Sequence, residues 1–167
     1  MKKIFFLLFV FIAMVAQAQW MDNDRTDAIT DERIVDIIGI VDIEADAPDM
    51  QLLVLRSSSE GTIEAFVVWG SYFSETEPIN VILRIDNDEP FMVTAKADVE
   101  GRVLFFTKPT LVVRRILAAK ERVVIRAKTY QGLTETVIIK MDGAQPVFDL
   151  HKDMFPKPMS EELPIID

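Results

Sequence analysis

The sequence has 167 residues, of which 50% are hydrophobic, with a formal net charge of −9 and no cysteine. Without cysteine the chain can form neither a disulfide nor a thiolate metal site, and its acidity argues against a nucleic-acid binder. The single histidine gives little basis for a zinc or copper site, or for a histidine-based catalytic triad.

The first 18 residues have the pattern of an export signal. Lys2 and Lys3 supply its positive start, residues 4–15 form an apolar run, and Ala16-Gln17-Ala18 is a small-residue cleavage site. The run is shorter than the roughly 20 residues that a spanning helix needs. We therefore expect the exported chain to begin at Gln19, to have no membrane span after cleavage, and to be periplasmic or secreted.

After the signal, the sequence predicts an acidic arm followed by two strands. The arm, residues 19–30, is expected to be irregular, with an exposed Trp20. In Ile34–Ile43, β-branched residues alternate with acids, which favours a strand, and Gly39 in its middle indicates a bulge or a close approach of the backbone. Leu52–Leu55 is the next predicted strand.

Four short apolar runs between Gly61 and Thr107 form the predicted centre of the fold. Each alternates in part between apolar and polar residues, and polar turns separate them, which is typical of an antiparallel meander. Trp69 has the apolar parity of its strand and is expected in the core. The runs are Thr62–Trp69, Val81–Asp86, Phe91–Thr94 and Arg102–Phe106.

One helix and two strands are predicted to follow. Apolar residues in Leu111–Lys120 have helical spacing, and Thr107–Thr110 offers hydroxyls and a proline suited to a helix start. Arg122–Lys128 and Thr134–Met141 alternate as strands do, and a short helical turn is predicted at residues 144–150.

Together these elements predict an α+β, mainly β fold: an antiparallel sheet or sandwich-like meander of seven or eight strands with one short helix. A single β-rich exported domain is expected over residues 19–150. Several prolines and an acidic end predict a flexible C-terminal tail over residues 151–167, with His151 as a surface residue.

The sequence contains no motif for nucleophilic catalysis, phosphate binding or dinucleotide binding, so we predict neither catalytic residues nor a cofactor. Paired carboxylates for glycoside cleavage remain an alternative, because their separation is a spatial property. The acids in Asp86-Asn87-Asp88-Glu89 raise calcium as another alternative. They are consecutive and precede Pro90, so a solvated turn is favoured and no metal site is predicted.

Two pairs of residues in the central region are candidates for binding. Tyr72 and Phe73, in the loop after Trp69, are candidates for an exposed aromatic contact. Arg84 and Asp86 share one parity of their strand. The alternatives for them are a structural ion pair and a guanidinium fork that binds a partner's carboxylate.

Charge is distributed unevenly along the chain. Residues 22–50 contain ten acids and two basic residues, whereas residues 101–129 contain eight basic residues and one acid. If the predicted helix flanks the next strand, their cations would form a basic ridge for an anionic envelope polymer or an acidic protein surface. The alternative is that the acidic segment covers and neutralises this ridge. Its members would be Arg114, Arg115, Arg122, Arg126 and Lys128.

The order of elements resembles that of exported accessory proteins associated with type VI secretion, and of related periplasmic domains of unknown function. The shared features are an early Trp before an acidic segment, a strand ending in Trp-Gly with an aromatic loop, and a Tyr-Arg-x-Asp strand in which Leu83 replaces the Tyr. Many relatives have a cysteine near the position of Arg56 and another near the C-terminus, both absent here. The matching stretches are Trp20, Thr30–Val35, Val68–Phe73, Leu83–Asp86, Leu111–Lys128 and Val137–Leu150.

This resemblance implies a non-enzymatic periplasmic module. We therefore expect an exported binding or accessory module of the cell envelope, associated with a secretion system if the resemblance holds. Its partner would be an envelope protein or an anionic envelope polymer, and not a nucleic acid. The alternatives are an inhibitor or immunity-type protein and, less favoured, a cell-wall glycan hydrolase.

Overall fold

The computed structural model describes residues 19–41 and 50–159, and within them it contains nine strands and two helices. The predicted export signal, the end of the predicted first strand and residues 160–167 lie outside the described residues. The strands are β1 (Trp20–Thr26), β2 (Arg33–Ile40), β3 (Leu52–Ser58), β4 (Ile63–Val68), β5 (Ile79–Ile85), β6 (Phe91–Ala97), β7 (Val103–Phe106), β8 (Arg122–Lys128) and β9 (Thr134–Lys140). The helices are α1 (Pro109–Leu117) and α2 (Ala144–Leu150).

The strands form one antiparallel sheet in the order β1-β2-β3-β4-β7-β6-β5-β8-β9, curled into a half-barrel. The predicted class, α+β and mainly β, is confirmed. The described chain has nine strands rather than seven or eight, and two helices rather than one. The predicted central meander is also interrupted, because β4 pairs with β7 and not with β5.

The ninth strand is β1, in the segment predicted to be an irregular arm. β1 pairs with β2 along its whole length, from Trp20 opposite Gly39 to Thr26 opposite Arg33. Trp20 is only 3% exposed and donates from its indole Nε1 to the Lys140 carbonyl at 2.7 Å. The prediction of an exposed Trp20 is therefore wrong. β1 was missed because it is an edge strand whose residues are largely polar and exposed.

Gly39 creates the space that the Trp20 ring occupies. A Cβ atom at Gly39 would lie 2.9 Å from Cη2 of Trp20, closer than real Cβ contacts come, and 3.1 Å from Cγ2 of Ile139, which is a tight contact. The pairing register runs through Gly39 on both sides without a bulge. Of the two predicted explanations, the close approach is the correct one.

Alternation of buried and exposed residues divides the sheet into two faces, since successive side chains of a strand point to opposite sides. The inward face is apolar, and helix α1 covers part of it with Val112, Val113 and Ile116, all fully buried. Trp69 is buried in this core, as predicted. α1 packs against β4 and β7, and α2 packs against β1 and β2.

Arginines close to the acidic N-terminal segment neutralise much of its described part. Asp24 accepts hydrogen bonds from Arg33, which lower the pKa of Asp24. Asp36 is buried between Arg25 and Arg56. Burial would raise the pKa of Asp36, but hydrogen bonds from Arg56 and Arg25 outweigh burial and lower it.

Residues 151–159, predicted as part of a flexible tail, pack against the sheet. His151 is 2% exposed rather than on the surface, and its Nε2 lies 2.9 Å from a carboxylate oxygen of Asp22. Phe155 is buried in the core, and Ser57 donates from its hydroxyl to the Met154 carbonyl. The packed domain therefore continues beyond residue 150, because residues 151–159 pack against the sheet and His151 contacts the acidic edge strand β1.

Candidate functional site

The outward faces of four adjacent strands, β6, β5, β8 and β9, carry a concentration of positive charge. The outward positions of these strands hold basic, polar uncharged and apolar residues. The one acid within the four strands, Glu135, has the inward parity. This surface is called the basic face below. Its cations are Lys96, Arg84, Arg122, Arg126, Lys128 and Lys140.

The arginines of the basic face bind uncharged oxygens. Arg84 donates to the carbonyls of Asn87 and Asp88 at 3.2 and 3.0 Å, and Arg126 donates to the Thr136 hydroxyl at 2.9 Å. Arg122 donates to the side-chain oxygen of Asn87 at 3.3 Å. Within residues 19–41 and 50–159, no ion pair joins these three arginines to an acid. Their hydrogen bonds in the described chain are therefore to uncharged groups.

Apolar side chains lie between these cations. Ile82 of β5 is opposite Arg126 of β8, and Val124 of β8 is opposite both Arg84 and Ile138. Ile82 and Ile138 are exposed, and Val124 is half-buried. The face can therefore contact the hydrocarbon parts of a ligand as well as its charges.

The structure does not bring the predicted five-residue basic ridge together. Helix α1 packs against β4 and β7 on the inward face of the sheet, whereas Arg122 and Arg126 point outward from β8. Arg114 donates to the Lys157 carbonyl at 3.0 Å, and the Arg115 guanidinium lies 4.7 Å from the centre of the Phe91 ring. The sheet thus separates the helix arginines from those of β8.

Arg84 and Asp86 do not pair with each other. Asp86 follows β5 with a φ of 49°, and its carboxylate accepts from the backbone N–H groups of Lys120, Glu121 and Arg122 at 2.9, 2.7 and 2.9 Å. Burial would raise the pKa of Asp86, but these N–H groups outweigh burial and lower it. Asp86 is therefore a structural residue that joins the end of β5 to the start of β8.

The two predicted aromatic contact residues have opposite environments. Tyr72 is 56% exposed, whereas Phe73 is 4% exposed and packs edge-on against Trp69 with ring centroids 5.3 Å apart. Phe73 is therefore a core residue and not an exposed contact. Tyr72 is held by Arg102, whose guanidinium lies 4.7 Å from the ring centroid and donates to the Tyr72 hydroxyl at 2.9 Å.

Tyr72 lines a cavity of about 300 Å³ at one end of the half-barrel, called the mouth pocket below. The β4–β5 connection forms one side of it and the β8–β9 turn the other, and the Tyr130 N–H donates to the Tyr72 carbonyl at 2.9 Å between them. Its lining residues are Gly70, Ser71, Tyr72, Thr129, Tyr130, Gln131, Leu133 and Glu135.

Glu135 is the acid of the mouth pocket. It has the inward parity of β9, which it shares with the buried Val137 and Ile139. Its two carboxylate oxygens accept from the Trp69 indole Nε1 at 2.7 Å and from the Ser71 hydroxyl at 2.5 Å. Glu135 was not among the predicted site residues, although an acid on the apolar parity of a strand was a signal that could have identified it.

The described residues contain neither a metal cluster nor a spanning helix. No group of three or more His, Cys, Asp or Glu side chains in residues 19–41 and 50–159 is placed to hold a metal ion. In the same residues, no helix is long and apolar enough to cross a membrane.

Comparisons with known proteins identify no family for this chain. No protein-family model matches the chain, and no curated protein is similar to it in sequence. Among solved structures, the chain is similar to invasion associated protein B from Bartonella henselae, with a TM-score of 0.49 and 8% sequence identity. That similarity covers 81% of this chain and 94% of the other chain. At this level, no function is transferred from that protein.

Proposed function

We propose that this chain is an exported, non-enzymatic binding module of the cell envelope, and that its basic face holds an anionic envelope polymer. The observation that carries this proposal is the segregation of charge: a chain with a net charge of −9 has six cations and no acid on the outward positions of four adjacent strands. Such a surface attracts anions even when the protein as a whole is negative.

The spacing of the cations suits a repeating anion. Arg122 and Arg126 lie four residues apart on β8, which corresponds to roughly 13 Å. Guanidinium groups match the geometry of phosphate and carboxylate oxygens. The exposed Ile82 and Ile138 between the cations can contact the carbon skeleton of the same polymer.

The test compares binding of the exported chain to dextran sulfate and to neutral dextran, over a series of salt concentrations. We expect binding to dextran sulfate alone, and weaker binding as salt rises, since exposed charges are screened. The double variant Arg122→Gln/Arg126→Gln should bind about 30-fold more weakly, at about 1 kcal/mol for each basic residue near an anionic surface.

The matched control is Arg114→Gln/Arg115→Gln, which changes the net charge equally but lies on helix α1, on the inward side of the sheet. We expect it to retain binding to dextran sulfate. An equal loss of binding in both double variants, or equal binding to charged and neutral dextran, would contradict the proposal.

A further inference from the structure

We propose that the mouth pocket is a binding site for a neutral sugar unit. It is a second site, made by different residues from those of the basic face. Its volume of about 300 Å³ is at the lower end of the range for small-molecule sites, about 300–1,000 Å³. The ligand would therefore be one or two sugar rings and not a large cofactor.

The carboxylate of Glu135 provides the hydrogen-bond acceptors that a polyhydroxylated ligand needs. Trp69 and Ser71 each occupy one of its oxygens. An ionised carboxylate has about four acceptor positions, so about two remain for hydroxyl groups of a ligand. Both donors are uncharged. In addition, no ion pair joins Glu135 to a cation within residues 19–41 and 50–159. Hydrogen bonds from hydroxyls to this acid would therefore be charge-assisted.

Two aromatic rings at the rim provide the apolar surface for the ring of a sugar. Tyr130 is 77% exposed at the β8–β9 turn, and a backbone hydrogen bond joins it to Tyr72, which lines the same pocket. The Arg102 guanidinium against Tyr72 fixes that ring before a ligand binds. An aromatic ring that is already fixed, as Tyr72 is, binds with a small loss of conformational entropy.

The surrounding charges favour a neutral ligand over a cation. Tyrosine faces beside a carboxylate can also bind ammonium groups. Here, however, the Arg102 guanidinium already lies over the Tyr72 ring. This cation opposes the binding of a second positive charge on that ring. A sugar with hydroxyl donors and an uncharged ring avoids that repulsion.

The two tryptophans of the chain allow a direct test by NMR of the ¹⁵N-labelled protein. The Trp69 indole N–H donates to Glu135 in the pocket, whereas the Trp20 indole N–H donates to Lys140, roughly 17 Å further along β9. We expect titration with maltose or N-acetylchitobiose to move the Trp69 indole signal with a saturable profile and to leave the Trp20 signal in place.

Three variants locate the ligand. Glu135→Gln and Tyr130→Ala should each raise the Kd of the sugar about tenfold or more, and Glu60→Gln, an exposed acid in the β3–β4 turn, should leave it unchanged. Tyr130→Ala keeps the test valid if Glu135→Gln loosens Trp69, because the Tyr130 side chain lies outside the core. The Arg122→Gln/Arg126→Gln protein should bind the sugar normally, so failure of this proposal is distinguishable from failure of the proposed function.

Three outcomes would overturn the inference. The first is a Trp69 signal that no neutral sugar moves. The second is a Trp69 signal that tetramethylammonium moves but sugars do not, which would make the pocket a cation site. The third is unchanged sugar affinity in both the Glu135 and the Tyr130 variant.

Discussion

Replacement of Asp36 with asparagine tests the ion pairs on the outward face of β2 and β3. The carboxylate accepts from Arg56 Nε at 2.6 Å and from Arg25 Nη1 at 2.5 Å. The Asp36 side chain is 7% exposed, while those of Arg56 and Arg25 are 34% and 39% exposed. Asparagine keeps the size of the side chain and one acceptor but removes the charge, so the variant isolates the electrostatic contribution.

The expected loss of stability is moderate. Hydrogen bonds to charged groups contribute about 1.5–3 kcal/mol each, and breaking a fully buried ion pair costs about 3–5 kcal/mol. Because both arginines are about one-third exposed, solvent screens part of this attraction. We therefore expect Asp36→Asn to lower the free energy of unfolding by about 2–3 kcal/mol, and Tm by about 5–10 °C for a domain of this size.

The pH dependence of this loss provides a second criterion. The pKa of Asp36 is lower in the folded protein than its unfolded value of about 3.9. Its stabilising contribution is therefore fully present above that pH and is lost as the pH falls through the folded pKa. The difference in unfolding free energy between wild type and Asp36→Asn should be full at pH 7 and should shrink below about pH 4.

Urea unfolding followed by tryptophan fluorescence measures both quantities. The matched control is Asp88→Asn, which removes the same charge at an exposed position after β5 and should unfold like wild type. Equal stability of wild type and Asp36→Asn at neutral pH would refute the reasoning. A stability difference that persists unchanged at pH 2 would also refute it, because the contribution of a carboxyl whose pKa is lowered by folding must fall once the pH drops below the unfolded pKa.

Two further predictions concern residues that hold the ends of the sheet. Gly39→Ala should lower the free energy of unfolding in urea by about 1–3 kcal/mol, because the new Cβ would lie about 3 Å from the Trp20 and Ile139 side chains. The substitution should also move the Trp20 indole NMR signal. A variant as stable as wild type would contradict the close approach. Asp86→Ala should lower the free energy of unfolding by about 1–2 kcal/mol, because three backbone N–H groups lose their shared acceptor and a φ of 49° is unfavourable for alanine. Asp86→Asn should lower it less. Equal effects of the two substitutions would contradict this account.

Local periodicity predicted most strands and the faces of their side chains. In β5 and β8 the alternation of apolar and polar residues placed Arg84, Arg122 and Arg126 on the polar side, and these residues do point outward. A period of two residues is a property of the strand itself and needs no knowledge of its neighbours. The same logic failed for β1, because its inward acids Asp22 and Asp24 are satisfied by His151 and Arg33 from elsewhere in the fold.

The pairing of strands was not accessible to the same reasoning. A meander predicts that consecutive strands pair, yet β4 pairs with β7, and β5 pairs with β8. The pairing of Val67 with Leu104 joins two segments that no local pattern connects. The order of strands then decides which cations become neighbours: it places Arg84 beside the cations of β8 and leaves those of α1 on the other side of the sheet.

The sequence by itself determined the mainly β class, the absence of cysteine chemistry and the inward or outward parity of most strand residues. These depend on composition and on a two-residue period, which are local properties. Only the tertiary structure decided that Phe73 is buried, that His151 lies against Asp22, and that Glu135 meets Trp69 and Ser71, which precede it by 66 and 64 residues. Such contacts arise from the curvature and strand order of the sheet. The amino-acid sequence specifies the curvature and the strand order only through the packing of the whole domain.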